Sequence, residues 1–263
     1  LPLLPLSSKI KKIALLGPNA NNGTTQLGNY NGIPSKNATL LDALRAEKGI
    51  EVVYDSISDF ITLQPGIDLQ HYAEKYKDVD LIIYAGGISA LLEGEEGDTG
   101  NVEGFYRGDR TTINLPAVQT QVMQMLQKSG KPMIFICMSG SAIAFNWESQ
   151  HIPAIIQAWY GGQAAGTALA DILFGRYNPS GKLPITFYRS DSDLPAIEDY
   201  SMKNRTYRYF NGDVLYPFGY GLSFTKFKFK KLNVPQEVQI GDTINISTEV
   251  VNTGKSAGEE VIQ

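Results

Sequence analysis

Four stretches of this chain are apolar along their whole length, and that pattern admits few folds. They are Ile13-Ala14-Leu15-Leu16, Leu81-Ile82-Ile83-Tyr84-Ala85, Met133-Ile134-Phe135-Ile136-Cys137-Met138 and Ala154-Ile155-Ile156. A strand with one wet face alternates apolar and polar residues. A strand apolar at every position is covered on both faces, as in parallel sheets. Turn residues follow several of these runs: Gly17-Pro18-Asn19, Gly86-Gly87 and Gly161-Gly162. The strands expected from these runs and from a further one cover residues 13–16, 50–54, 80–87, 133–138 and 154–159.

Segments with helical spacing separate the strands. Residues 39–47 carry Leu40, Leu41 and Leu44 on one face, with Thr39 as the expected cap. Residues 72–78 form a second helix. Residues 116–129 present Val118, Val122, Met125 and Leu126, and residues 163–174 present Ala168, Leu169 and Ile172. Strands alternating with helices predict an α/β fold, a mainly parallel sheet with helices on both faces. Ligands of such sheets sit beyond the carboxyl ends of the strands. Residues 175–220 are rich in Gly, Pro and Tyr and show little period. Residues 243–251 alternate as Ile244, Ile246, Thr248 and Val250, the pattern of a half-buried β-sandwich strand. The expected division is a linker over 1–10, an α/β domain over 11–226, and the truncated start of a β-sandwich over 227–263.

Composition narrows the function classes. Of 263 residues, 43% are hydrophobic and 19% charged, enough for a substantial core. The net charge of −4 argues against a nucleic-acid partner. No apolar run reaches the roughly 18 residues of a membrane span. Cys137 is the single cysteine, so no intrachain disulfide can form, and its apolar run predicts a buried side chain. Asn-x-Ser/Thr triplets at Asn22, Asn37, Asn204 and Asn245 fit a secreted or periplasmic protein. The opening Leu-Pro-Leu-Leu-Pro-Leu is too short and proline-rich for a signal peptide, and reads as a linker within a longer protein.

Several chemistries lack their residues. Gly161, Gly162 and Gly166 miss the dinucleotide fingerprint because Gln163 occupies the middle glycine position. Gly254-Lys255-Ser256 has Glu249 where a P-loop needs its first glycine. Ser139 and Ser141 lack the flanking glycines of a nucleophile elbow. His71 and His151 have no partner at metal-ligand spacing. What stands out instead is the loop after Gly86-Gly87. It holds Glu93-Gly94-Glu95-Glu96-Gly97-Asp98 and Glu103, and closes on Gly108-Asp109-Arg110. Carboxyl groups packed together raise one another's pKa, and one of them can then stay protonated and act as a general acid. The alternative is a solvated acidic loop.

Three further motifs bear on that choice. Trp159-Tyr160-Gly161-Gly162-Gln163 is followed by Asp171-Ile172-Leu173-Phe174-Gly175-Arg176-Tyr177-Asn178-Pro179-Ser180-Gly181-Lys182-Leu183-Pro184, then by Tyr216-Pro217-Phe218-Gly219-Tyr220-Gly221-Leu222-Ser223-Phe224. In this order they resemble the C-terminal α/β domain of family-three glycoside hydrolases, which include β-glucosidases and β-xylosidases. Residues after 234 resemble the start of a fibronectin type III-like domain. The resemblance implies a retaining exo-acting β-glycosidase whose aspartate nucleophile comes from an amino-terminal barrel of the same chain. This domain would supply a glutamate acid/base, with a β-glycoside or oligosaccharide as substrate and no metal or organic cofactor.

Many members of the family have Glu-Gly-Glu-Gly followed closely by Asp-Arg. Here Glu93-Gly94-Glu95 and Asp109-Arg110 match, with a longer insert over 96–108. By position Glu95 is the acid/base, with Glu93 the runner-up and Glu96 third. Asp109-Arg110 reads as an internal ion pair shaping the loop, ahead of a sugar ligand, and Trp159, Tyr160, Tyr216 and Tyr220 as core or scaffold residues, ahead of platforms for sugar rings. The competing readings are a non-catalytic carbohydrate-binding or scaffold module, and a nucleotide- or flavin-binding α/β protein.

Overall fold

The computed structural model describes residues 3–94 and 101–262. Five parallel strands form one sheet: β1 (Lys12–Leu16), β2 (Glu51–Asp55), β3 (Leu81–Gly87), β6 (Met133–Met138) and β7 (Ala154–Gln157), in the order β2-β1-β3-β6-β7. Between β3 and β6 the chain makes a small hairpin, β4 (Phe105–Tyr106) and β5 (Asp109–Arg110). The expected mainly parallel α/β fold is what the chain adopts. β1 is joined in sequence to β2 on one side, while β3 pairs on its other side, so the winding reverses between β1 and β3. That is the place where open α/β sheets bind ligands.

The side-chain period of two divides the strands between two cores. Ala14, Leu16, Ile82, Tyr84, Phe135 and Cys137 enter one, together with Val122, Met123, Met125 and Leu126 of α4 (Ala117–Gln127). Tyr76 follows α3 (Leu69–Lys75) into the same core. Ile13, Leu15, Leu81, Ile83, Ile134 and Ile136 enter the other, against Leu40, Leu41 and Leu44 of α2 (Leu40–Arg45) and Leu169 and Leu173 of α6 (Ala165–Leu173). Burial on both faces is why the strands read as unbroken apolar runs. Cys137 is fully buried in β6, and that burial pushes its thiol pKa up to about 12.

Thr39 caps α2 as the sequence predicts, and Asp42 completes a capping box with it. Two further short helices are α1 (Gly23–Leu27), capped by Asn22, and α5 (Asn146–His151), which has no side-chain cap. Glu148 of α5 is nearly fully buried and accepts a 2.5 Å hydrogen bond from Thr120 of α4. Burial raises its carboxyl pKa. Residues 3–10, read as a linker, run along the body. Leu3, Leu4 and Leu6 pack on the second core, and the Leu6 amide donates to the Leu173 carbonyl at 2.7 Å.

After a four-residue helix, α7 (Thr206–Tyr209), the chain ends in an antiparallel pair, β8 (Phe227–Asn233) and β9 (Ser247–Asn252). Asn178 ties this pair to the body. Its Oδ1 accepts from the Phe224 amide at 2.7 Å and the Ser223 hydroxyl at 2.8 Å, while its Nδ2 donates to the Ala257 carbonyl at 2.8 Å. Lys182 and Glu260 add a largely buried ion pair at 3.1 Å.

Candidate active site

The end of β3 is held from two sides by amide side chains. Asn19, in the turn after β1, is buried and donates to the carbonyls of Gly86 at 3.0 Å and Ile88 at 3.3 Å. Gln119 of α4 is completely buried and faces Gly87 as a neighbouring strand would. Its Oε1 accepts from the Gly87 amide at 2.8 Å, and its Nε2 donates to the Gly87 carbonyl at 2.7 Å and the Phe60 carbonyl at 2.9 Å. Backbone groups leaving a strand need partners in the interior, and these two side chains supply them. The chain then passes through buried Ile88, Ser89 and Ala90, turns on the Glu93 amide-to-Ser89 carbonyl bond of 3.1 Å, and presents Glu93.

Glu93 is drawn into the fold by three donors from two other loops. After β6, the Gly140 amide donates to Oε1 at 2.8 Å and the Ser141 hydroxyl to Oε2 at 2.7 Å. After β7, the Tyr160 hydroxyl donates to Oε1 at 2.5 Å. Burial, then the hydrogen bond and charge of Glu93, raise the Tyr160 pKa, so the phenol keeps its proton and remains a donor. The Tyr160 ring lies between two glycines. A Cβ on Gly140 would come within 2.9 Å of the ring, and one on Gly28 within 3.3 Å. The preceding Trp159 holds a φ of +53°, a left-handed conformation that costs a bulky residue about 1–3 kcal/mol and concentrates at functional sites.

The far end of the loop is also secured. Between β4 and β5, Arg107 and Gly108 both have positive φ, as a tight two-residue hairpin turn requires. Phe105 is buried in the first core. Arg110 donates through Nη1 to the Ser141 hydroxyl at 2.8 Å and the Ala142 carbonyl at 2.7 Å. Ser141 thus accepts from Arg110 and donates to Glu93. Burial lowers the Arg110 pKa while the nearby Glu93 opposes the shift. The expected Asp109–Arg110 ion pair does not form between those two residues. Asp109 is exposed, and Arg110 shapes the loop through Ser141 and Ala142 instead. Its Nη2 is buried and has no hydrogen-bond partner among the described residues.

Of the carboxylates expected here, Glu93 is part-buried and Glu103 exposed. Glu95, Glu96 and Asp98 lie outside the described residues. Trp159 and Tyr216 pack in the aromatic core: Trp159 makes an edge contact with Phe187 at 6.0 Å, and Tyr216 lies 4.8 Å from Tyr220. Tyr160 parts from this group and serves Glu93. Nothing in the local sequence marks Gln119, Gly140 or Ser141 for these roles, because the partners of Glu93 come from distant loops with no local pattern. His71 pairs with Asp68 at the surface, and His151 stacks on Trp147 at 4.7 Å.

Comparison with known proteins agrees with this architecture. The model of the glycosyl hydrolase family 3 C-terminal domain matches residues 2–224. The xylan 1,4-beta-xylosidase of Xylanibacter ruminicola is 44% identical over 250 residues, covering 92% of this chain and 29% of that protein. The periplasmic beta-glucosidase of Salmonella typhimurium is 32% identical, covering 100% of this chain and 38% of its own length. A solved β-glucosidase from Erythrobacter marinus superposes with a TM-score of 0.78 at 29% identity, over 97% of this chain and 37% of that one. The chain therefore spans between 29% and 38% of these proteins. It belongs to the glycosyl hydrolase family 3 C-terminal domain family.

Proposed function

We propose that this chain is the acid/base-bearing domain of a retaining, exo-acting β-glycosidase of the β-xylosidase or β-glucosidase type, with Glu95 as the acid/base. Family membership supports the reaction class. The relatives named above include both a xylosidase and a glucosidase, so the sugar stays open between those two. One observation carries the choice of glutamate. The carboxyl group of Glu93 is committed to Gly140, Ser141 and Tyr160 inside the fold. In the Glu93-Gly94-Glu95 motif that leaves Glu95 for the chemistry, two residues beyond a fixed anchor at the carboxyl end of β3.

In this reading a barrel domain of the full-length protein brings the nucleophilic carboxylate. That carboxylate attacks the anomeric carbon as the glycosidic C–O bond breaks, and Glu95 gives its proton to the departing oxygen. Glu95, now a carboxylate, takes a proton from water, which releases the sugar with net retention. Leu91 in the loop after β3, and Tyr30 and Ile33 in the segment that follows Asn29, whose side chain reaches the Glu93 carbonyl, are exposed, which suits a surface that a second domain covers. Residues 227–263 then begin a fibronectin type III-like domain, and the protein works outside the cytoplasm, as the periplasmic relative's name fits.

The test is Glu95→Gln in the full-length enzyme. General acid/base assistance is worth about 10²–10⁴ in rate. Turnover should fall by that order on aryl glycosides with poor leaving groups. With a good leaving group, glycosylation persists, release becomes slow, and azide restores turnover. Rescue in Glu93→Gln and not in Glu95→Gln would move the assignment to Glu93. Rescue in neither would overturn it altogether.

A further inference from the structure

We infer that Tyr160, Glu93 and Ser141 form a positioning brace for the catalytic acid, acting on proton transfer and not on the sugar. The inference rests on the reading of the loop as the bearer of the acid/base, and adds residues to it that sequence motifs do not assign. Three features of the structure converge on it.

First, Glu93 is the last residue before the acidic segment whose side chain is fixed to the body, and both of its oxygens are used. Oε1 accepts from Gly140 and Tyr160, and Oε2 from Ser141. Second, the donors come from the loops after β6 and β7, so the brace registers the β3 loop against two neighbouring strands at once. Third, the site of Tyr160 is built at a cost. Its ring leaves no room for a Cβ at Gly140 and little at Gly28, and the residue before it, Trp159, sits in a left-handed conformation. Backbone strain of this kind persists only where the surroundings enforce it. Ser141 relays the brace to Arg110, which fixes the returning end of the same loop. A loop pinned at both ends is a means of holding a proton donor to the tolerance that catalysis needs. A displacement of about 1 Å can cost about 10²-fold in rate.

None of these residues is proposed to touch the substrate, so they are positioning residues. Their loss should appear where proton donation limits the rate. The experiment uses the full-length enzyme with Tyr160→Phe and, independently, Ser141→Ala. Each removes one hydroxyl and keeps the remaining side chain. For each, kcat/KM is measured on a series of aryl β-xylosides and β-glucosides graded by leaving-group acidity. The expected result is a steeper dependence on leaving group. The loss should be about 10-fold to 10²-fold for phenyl glycosides, against less than about threefold for dinitrophenyl glycosides. The alkaline limb of the pH profile should shift with it.

Equal losses on every substrate, or none, in a variant with wild-type circular dichroism would overturn the brace. If Tyr160→Phe does not fold, Ser141→Ala decides the matter by the same criterion. The outcome is separable from the assignment of Glu95. Missing azide rescue in Glu95→Gln removes that residue from the role. The leaving-group slope of Tyr160→Phe still reports whether the brace serves whichever group donates the proton.

Discussion

Replacing Gln119 by Leu tests how the fold delivers its loop. Leucine is close to glutamine in volume and helix propensity, so α4 itself should be indifferent. What changes is the end of β3. The Gly87 amide and carbonyl lose their partners in a fully buried position, and the Phe60 carbonyl loses one in a partly buried one. Each buried backbone group left unsatisfied costs about 1–3 kcal/mol. Counting two in full and one by half, the loss is about 2.5–7.5 kcal/mol, a large share of the roughly 5–15 kcal/mol that holds a domain together. Water cannot readily enter as a substitute, because the space is occupied: a Cβ on Gly86 would stand only 2.3 Å from Gln119 Oε1. Urea unfolding of the chain, followed by far-ultraviolet circular dichroism, measures the effect. Gln119→Glu sharpens the test. It turns a carboxylate toward two carbonyls, and should be the worse variant at neutral pH and recover partly in acid, where a protonated carboxyl can donate. A Gln119→Leu variant within about 0.5 kcal/mol of the parent, the range of neutral surface changes, would refute the reasoning.

Glu148→Gln should change how stability depends on pH. Burial raises the carboxyl pKa in the folded state. Stability from this group is therefore full below its unfolded value, about 4.3, and is lost as pH rises through the folded pKa. Glutamine keeps an acceptor for Thr120 and cannot ionise. The melting temperature of the variant should gain on the parent as pH rises above about 4.3, and parallel curves would refute the assignment. Asn178→Ala should leave the α/β body intact while loosening the terminal strand pair, since it removes three hydrogen bonds that join them. Limited proteolysis should then cut within residues 222–258 several times faster, and an unchanged digestion rate would argue that Lys182 and Glu260 suffice.

The central sheet was legible because its strands are buried on both faces. A run such as Met133–Met138 leaves nothing else for the residues to be, and β1, β2 and β3 fall within a residue or so of their expected limits. α5 was not legible. Its sequence Asn-Trp-Glu-Ser-Gln-His has no apolar stripe, and the residue it buries is Glu148. The β4–β5 hairpin is too short for any period to register. The expected strand over 243–251 is shorter as Ser247–Asn252, with alternation that leaves most of its residues exposed or partly so. At the site, local sequence pointed to the acidic loop, with Glu95 first and Glu93 as runner-up. It could not disclose that Glu93 is claimed by Gly140, Ser141 and Tyr160, since those contacts join residues 47 to 67 positions apart. Nor did the helical pattern of residues 116–129 separate Gln119 from solvent-facing glutamines.

The anchoring of the acidic loop at both feet makes the segment between them an exchangeable cassette. Glu93 fixes where it departs, and Phe105 with Arg110 fixes where it returns. Once both ends are set by the body, a longer connection asks nothing further of the sheet, and each doubling of a connection's length adds only about 0.6 kcal/mol of closure entropy. Changes of length between Glu95 and Val102, which packs on the first core, are therefore variation that the body can accept. A graft from another member of the family, joined just after Glu95 and just before Val102, should fold on this body without any change to the sheet.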